Sequence, residues 1–100
     1  MAPVTRLVLD VLKPHDPPLA EFTARVCDVE SVDGATASLI ELDTDVQNVA
    51  VTVAGDAIDV DATEAEIERL GGTVHSVDRV SCGDRPTGRP SDEVTGPGDR

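Results

Sequence analysis

The apolar positions change period along the first third of the chain. Leu7 to Leu12 reads LVLDVL, with Leu7, Leu9 and Val11 on one face and Arg6, Val8, Asp10 and Leu12 on the other. That is the period-two pattern of a strand with one dry face and one mixed face. Lys13-Pro14 ends it, because proline cannot donate to a ladder. Asp16-Pro17-Pro18 then reads as a helix start, with Asp16 near the cap and proline in the first turn. Leu19, Phe22, Thr23 and Val26 follow at i, i+3, i+4 and i+7, an amphipathic helical stripe that Val29 extends. Ser31-Val32-Asp33-Gly34 is turn chemistry, with Gly34 suited to a positive φ.

The period returns to two in the middle of the chain. Ala37 to Asp43 (ASLIELD) predicts a second strand and Asn48 to Ala54 (NVAVTVA) a third, in which Val49, Val51 and Val53 alternate with Ala50, Thr52 and Ala54. Thr44 to Gln47 is short enough for a hairpin loop. Thr63-Glu64-Ala65-Glu66 has the spacing of a capping box, so a short helix is expected to run to Leu70, burying Ile67 and Leu70. Gly71-Gly72 supplies a left-handed C-cap, and Val74 to Val80 (VHSVDRV) predicts a fourth strand.

The order β-α-β-β-α-β, with right-handed crossovers, predicts an α+β ferredoxin-like βαββαβ two-layer sandwich with antiparallel sheet order 4-1-3-2. Both helices cover one face. Val8, Leu12, Ala50 and Ile40 or Leu39 would then lie partly bare on the other, and an uncovered apolar sheet face marks an interface. The domain is expected to span residues 1–83. The tail, 84–100, contains three prolines, three glycines and one apolar residue, Val94, and is expected to be disordered.

Charge changes this picture most. The chain of 100 residues carries 20 acids against eight bases, a formal net charge of −12. Thirteen acids are Asp, seven bases are Arg, Lys13 is the single lysine and Phe22 the single aromatic. Such charge destabilises a compact state in dilute buffer. At about 1 M salt the Debye length shrinks to roughly 3 Å and most of that cost disappears. Acidity, scarce lysine and small apolar side chains coincide as expected of a halophilic cytoplasmic protein. With no basic run interleaved with aromatics, a nucleic-acid backbone is excluded as a partner. An anionic membrane surface is excluded on the same ground. No apolar run approaches the ~20 residues that cross a bilayer, and the N-terminus lacks the pattern of a secretory signal. Cys27 and Cys82 are too far apart in sequence for a metal motif and are expected to be reduced thiols.

Leu7 to His15 (LVLDVLKPH) and Gly71 to Val80 (GGTVHSVDRV) resemble the opening and closing strands of a small archaeal family known as domain-of-unknown-function family 211. The segments between match in order and length, so the resemblance spans roughly residues 4 to 83. It implies a ferredoxin-like fold, an archaeal source and assembly into oligomers, and no established activity. The acidity and the tail after Cys82 depart from the family's usual pattern.

Two groupings could bind a metal. In a 4-1-3-2 sheet the end of the first strand lies near the start of the fourth, which places His15 and Asp16 at the same pole as His75. Two imidazoles and a carboxylate can hold Zn²⁺ or Ni²⁺. The plainer alternative, favoured because no HxH or HExxH spacing supports a metal, has His15 bracing the first helix and His75 pairing across the sheet. Asp10 and Asp78, on adjacent strands, could meet acids of another copy around Ca²⁺ or Mg²⁺. Here the plainer alternative is a solvated face, or Asp10 paired with Arg6 or Arg79.

No catalytic constellation is legible. The cysteines fall at the pole opposite the histidines, out of reach of a base. No glycine-rich loop leads into a helix. The chain is expected to be a non-enzymatic, oligomeric binding or regulatory module, by analogy with ACT-like domains of the same fold. The alternative is a divalent-cation-binding protein with sites between subunits. The expected partners are a second copy through the open sheet face and a small-molecule or cation ligand.

Overall fold

The computed structural model describes residues 1–84; of the tail, all but Asp84 lies outside the described residues. The elements are β1 (Val4–Pro14), α1 (Leu19–Cys27), β2 (Gly34–Leu42), β3 (Val46–Ala54), α2 (Val60–Arg69) and β4 (Thr73–Cys82). The sheet runs β2-β3-β1-β4, all neighbours antiparallel, which is the expected order read from the other edge.

The two-residue alternation decides which face is dry. Leu7, Leu9 and Val11 on β1 and Val49, Val51 and Val53 on β3 are buried, and Phe22, Val26 and Ile67 close over them from the two helices. Pairing lines these side chains into rows across the sheet. Ala35, Val53, Leu7 and Val80 form one row; Ala37, Val51, Leu9 and Val77 the next; Leu39, Val49, Val11 and Val74 a third. α1 packs against β2 and α2 against β4, on this one side only. Leu39 therefore belongs to the helix-covered side, while Ile40 falls between paired positions at a register shift.

Several local expectations are corrected. α1 begins after Pro18, whose carbonyl accepts from Phe22 N at 2.9 Å; no side chain caps it, so Asp16 is not its cap. Gly34 opens β2 without a positive φ. The hairpin is tighter than Thr44–Gln47: Asp43 N donates to Val46 O at 2.9 Å, and Gln47 is already in β3.

The capping box is displaced by four residues. Asp59 is the N-cap of α2, its carboxylate accepting from Ala62 N at 3.0 Å. Thr63 is a fully buried residue inside the helix, its hydroxyl donating to Asp59 O at 2.9 Å. Glu66 is spent on Arg69 instead of reaching back. The helix does end as expected, with Gly71 at φ +92. Gly72 beside it has no room for a side chain: a Cβ would lie 3.0 Å from Ile67 Cγ2 and 3.3 Å from Val11 Cγ1.

This capping arrangement separates two substitutions by magnitude. Asp59→Ala should destabilise the fold by about 1 kcal/mol, the usual effect of losing a cap. Glu66→Ala removes one exposed i,i+3 ion pair and should cost only a few tenths of a kcal/mol. Equilibrium urea unfolding of both variants checks the order, which a capping box at Thr63 would reverse.

Candidate functional site

The side of the sheet without helices is a mosaic of small and polar groups. Its rows read Thr36, Thr52, Val8 and Arg79, then Ser38, Ala50, Asp10 and Ser76, then Glu41, Asn48, Leu12 and Thr73. Val8, Leu12 and Ala50 at its centre are half-buried by their neighbours alone.

Asp10 pairs with Ser76, and the Ser76 hydroxyl donates to Asp78 Oδ1 at 2.7 Å. Asp10 and Ser76 thus face each other across adjacent strands, and the serine hydroxyl is engaged with Asp78. Neither Arg6 nor Arg79 forms an ion pair with Asp10; the ion pairs among the described residues are Arg25–Glu21 and Arg69–Glu66. Both β4 residues singled out in the sequence are bulge positions. Register shifts leave Asp78 between the pairs Val8–Arg79 and Leu9–Val77, and His75 between Asp10–Ser76 and Val11–Val74. A bulge re-aims its side chain and breaks strict alternation.

The two histidines share a pole but are engaged differently. His15 Nε2 lies 3.1 Å from the carbonyl oxygen of Asp43, donating when that nitrogen carries the proton. The hairpin holding Asp43 lies beyond β3, on the side of β1 away from β4 and His75. Among the described residues no group of three His, Cys, Asp or Glu side chains is placed to hold a metal ion. Cys27 and Cys82 are free thiols, the first half-buried and the second exposed. No helix among the described residues is long and apolar enough to cross a membrane.

The largest feature missed in the sequence is Lys13. Alternation carries the dry row Leu7, Leu9, Val11 one step further, so Lys13 points inward and has no exposed surface. Its ammonium donates to Pro14 O at 2.8 Å, to Gln47 Oε1 at 2.9 Å and more weakly to His15 O at 3.5 Å. It also stands 5.8 Å from the centre of the Phe22 ring, within cation–π range. The only lysine and the only aromatic of the chain therefore lie within cation–π range of each other. The ammonium ties the end of β1 and the following loop to β3, which fixes where His15 leaves the sheet. Its inward place was legible in the i, i+2 spacing; reading Lys13-Pro14 as a terminator hid it.

Both edges of the sheet expose large apolar side chains. On β2, Leu39, Ile40 and Leu42 are 47%, 63% and 62% exposed; on β4, Val77 and Val80 are 47% and 51% exposed. Between α1 and β2 runs an apolar surface groove of about 690 Å³, lined by small residues that include Ala20, Ala24, Cys27, Ala35 and Ala37.

Burial holds the Lys13 pKa below its ordinary value of 10.5, partly countered by the charge of Asp16. The folded state therefore binds this proton less tightly than the unfolded chain. The charged lysine's cost is fully present below the folded pKa and is relieved as pH rises from there to 10.5, so stability should rise with pH across that window. Urea midpoints of wild type and Lys13→Met measured from neutral pH upward check this. The difference between the two proteins should change with pH in that sense; a pH-independent difference would remove Lys13 as the source.

Comparison with known proteins now adds family to geometry. The chain is similar to the "Uncharacterized protein MJ0319" of Methanocaldococcus jannaschii, with 37% identity over 97 residues, covering 97% of this chain and 96% of that protein. Residues 5–92 match the model of the DUF211 family, described as "Uncharacterized ArCR". The match starts one residue into β1 and runs beyond β4, so it takes in the rest of β1 and every later element. With all six elements covered by that match and a relative aligned nearly end to end, the chain belongs to the DUF211 family.

Proposed function

We propose that this protein is a non-enzymatic binding module that associates with copies of itself through the open sheet face and holds a small molecule or cation at the junction. The observation that carries this reading is the one-sided coverage of the sheet. Val8, Leu12 and Ala50 form the centre of a face that no helix covers, ringed by Thr, Ser and Asn. Nine residues of about 3.3 Å and four strands about 4.8 Å apart make that face roughly 30 by 19 Å, a footprint suited to a modest protein interface.

The working environment in this reading is concentrated salt. Support comes from the net charge of −12, with most of the described acids on the exposed surface. In molar KCl, sedimentation of the wild type should show an assembly larger than one chain. Ala50→Arg, whose new charge can lie beside Asp10, should lower that mass while the far-UV spectrum stays unchanged. A wild type that sediments as a single chain in molar KCl overturns the proposal, as does an assembly indifferent to Ala50→Arg.

The placement of Asp10 opposite Ser76, whose hydroxyl donates to Asp78, supports a second reading, in which the ligand is a hard divalent cation shared between copies. Ca²⁺ should then raise the assembly's thermal midpoint, and Asp10→Asn should abolish that rise without lowering the midpoint measured in chelator. Equal Ca²⁺ responses in the two proteins would exclude Asp10 as a ligand.

A further inference from the structure

We propose that Arg6 and Arg79, with the hydroxyls of Ser81 and Thr52 beside them, bind the phosphate group of a small phosphate monoester at one corner of the open sheet face. The inference names a ligand class for the reading that this face holds a small molecule, and it stands whether or not copies associate there.

Charge is divided unevenly along the open face. The two rows nearest the start of β1 are Gly34, Ala54, Arg6 and Ser81, then Thr36, Thr52, Val8 and Arg79. They hold two arginines and no acid, in a chain of 20 acids and eight bases. The two rows beyond hold Asp10 and Glu41 and no base. The other cations of the described residues are already engaged: Lys13 is buried at the far end of β1, Arg25 meets Glu21 and Arg69 meets Glu66. Arg6 and Arg79 form no ion pair among the described residues. Asp78, next to Arg79 in the chain, accepts from the Ser76 hydroxyl instead. Yet Arg79 is half-buried. A guanidinium partly withdrawn from water gains from an anion that supplies the missing counter-charge and accepts its donors.

The register lets both arginines reach one group. Arg6 stands opposite Ser81 and Val8 opposite Arg79, with no slip between the two pairs. Arg6 and Arg79 are therefore diagonal neighbours on one face, about 7–8 Å apart, within reach of long side chains. Each guanidinium is a rigid fork of donors. A phosphate monoester carries three terminal oxygens and nearly two charges at neutral pH, enough to occupy both forks, whereas a carboxylate has two oxygens and one charge. Ser81 and Thr52 add hydroxyl donors in the same two rows. Gly34 and Ala54, on the other side of Arg6, leave space above the sheet for the ligand.

The surroundings limit that ligand to one phosphate. Asp10 stands one row further along β1 from Val8. In the other direction Arg6 lines a surface cavity of about 470 Å³ whose walls include Thr5, Asp56 and Asp84. A second phosphate on either side would meet carboxylates. The cavity suits instead the remainder of a small molecule, bearing hydroxyls or an amine.

The test is a titration of the ¹⁵N-labelled full chain in molar KCl, with inorganic phosphate and separately with glycerol phosphate. Amide shifts should saturate and cluster at Arg6, Thr52, Arg79 and Ser81. Arg6→Gln and Arg79→Gln should each weaken binding about tenfold, as expected for losing a charge-assisted contact. Arg79→Lys, which keeps the charge but loses the fork, should weaken it less, and Arg25→Gln not at all. Glycerol phosphate should bind at least as tightly as inorganic phosphate, and acetate and oligothymidylate should give no saturable shift.

Shifts that fail to saturate, that cluster elsewhere or that survive both glutamine substitutions overturn the inference. So does acetate or oligothymidylate matching phosphate, which would assign the arginines to carboxylates or to a nucleic acid. Sedimentation of the same samples separates this outcome from the self-contact. A single chain that binds phosphate removes only the self-contact, and an assembly that ignores phosphate removes only this site.

Discussion

Everything in this molecule depends on a sheet dried on one side only. The core is a strip of aliphatic side chains, Leu7, Leu9 and Val11 against Val49, Val51 and Val53, roofed by Phe22, Val26 and Ile67. With two helices and four strands, the roof cannot reach both edges fully: Val77 and Val80 stay half bare beside α2, and Leu39 beside α1. The roof also leaves the opposite face untouched. Hydrophobic stabilisation scales with apolar area removed from water, and short side chains remove little each. A small domain built this way gains from burying further surface against another chain, which is why the proposed self-contact falls on the face the roof leaves bare.

The buried ammonium of Lys13 marks the end of that strip. Position 13 is in phase with the dry row, yet the strip stops there, at the pole where β1 gives way to a loop. An aliphatic residue there would leave the carbonyls of Pro14 and His15 and the amide of Gln47 without this donor. The lysine supplies its donors and sets its ammonium over the Phe22 ring. Burying the charge costs stability, as its lowered pKa shows, and the return is positional. The loop that carries His15 is fastened to β3, and His15 in turn meets the hairpin at Asp43. One cation thus organises a pole to which β1, β3 and the β2–β3 turn all contribute.

How much was legible in the sequence follows from which signals are periodic. Strand and helix identity, sheet order and the dry face came from two-residue and 3.6-residue spacing, and those survive any local irregularity. The helix starts did not, because capping depends on a single side chain meeting a single N–H. Thr63-Glu64-Ala65-Glu66 and Asp59-Val60-Asp61-Ala62 are both chemically competent, and Ser31 Oγ, accepting from Asp59 N at 2.8 Å, helps hold the second in place. That hydrogen bond joins residues 28 apart, which no local pattern reveals. The same holds for the candidate site. The pairing of β1 with β4 follows from topology, but which β4 residue stands opposite Asp10 depends on the bulges, and a bulge depends on how β4 fits β1.

The placement of irregularity also explains why the candidate residues His75 and Asp78 lie on an edge strand. β3, paired on both sides, keeps an even register with β1 from end to end, while the pairings of the edge strands β2 and β4 slip. An extra residue in a central strand would disturb two ladders; at an edge it disturbs one. Residues freed from the ladder there, Ile40 on one side and His75 and Asp78 on the other, are the ones whose side chains alternation no longer assigns to either face. On the central strands alternation alone assigns Val8, Asp10 and Leu12 to the open face; on β4 the fit of the strand to β1 decides what joins them there.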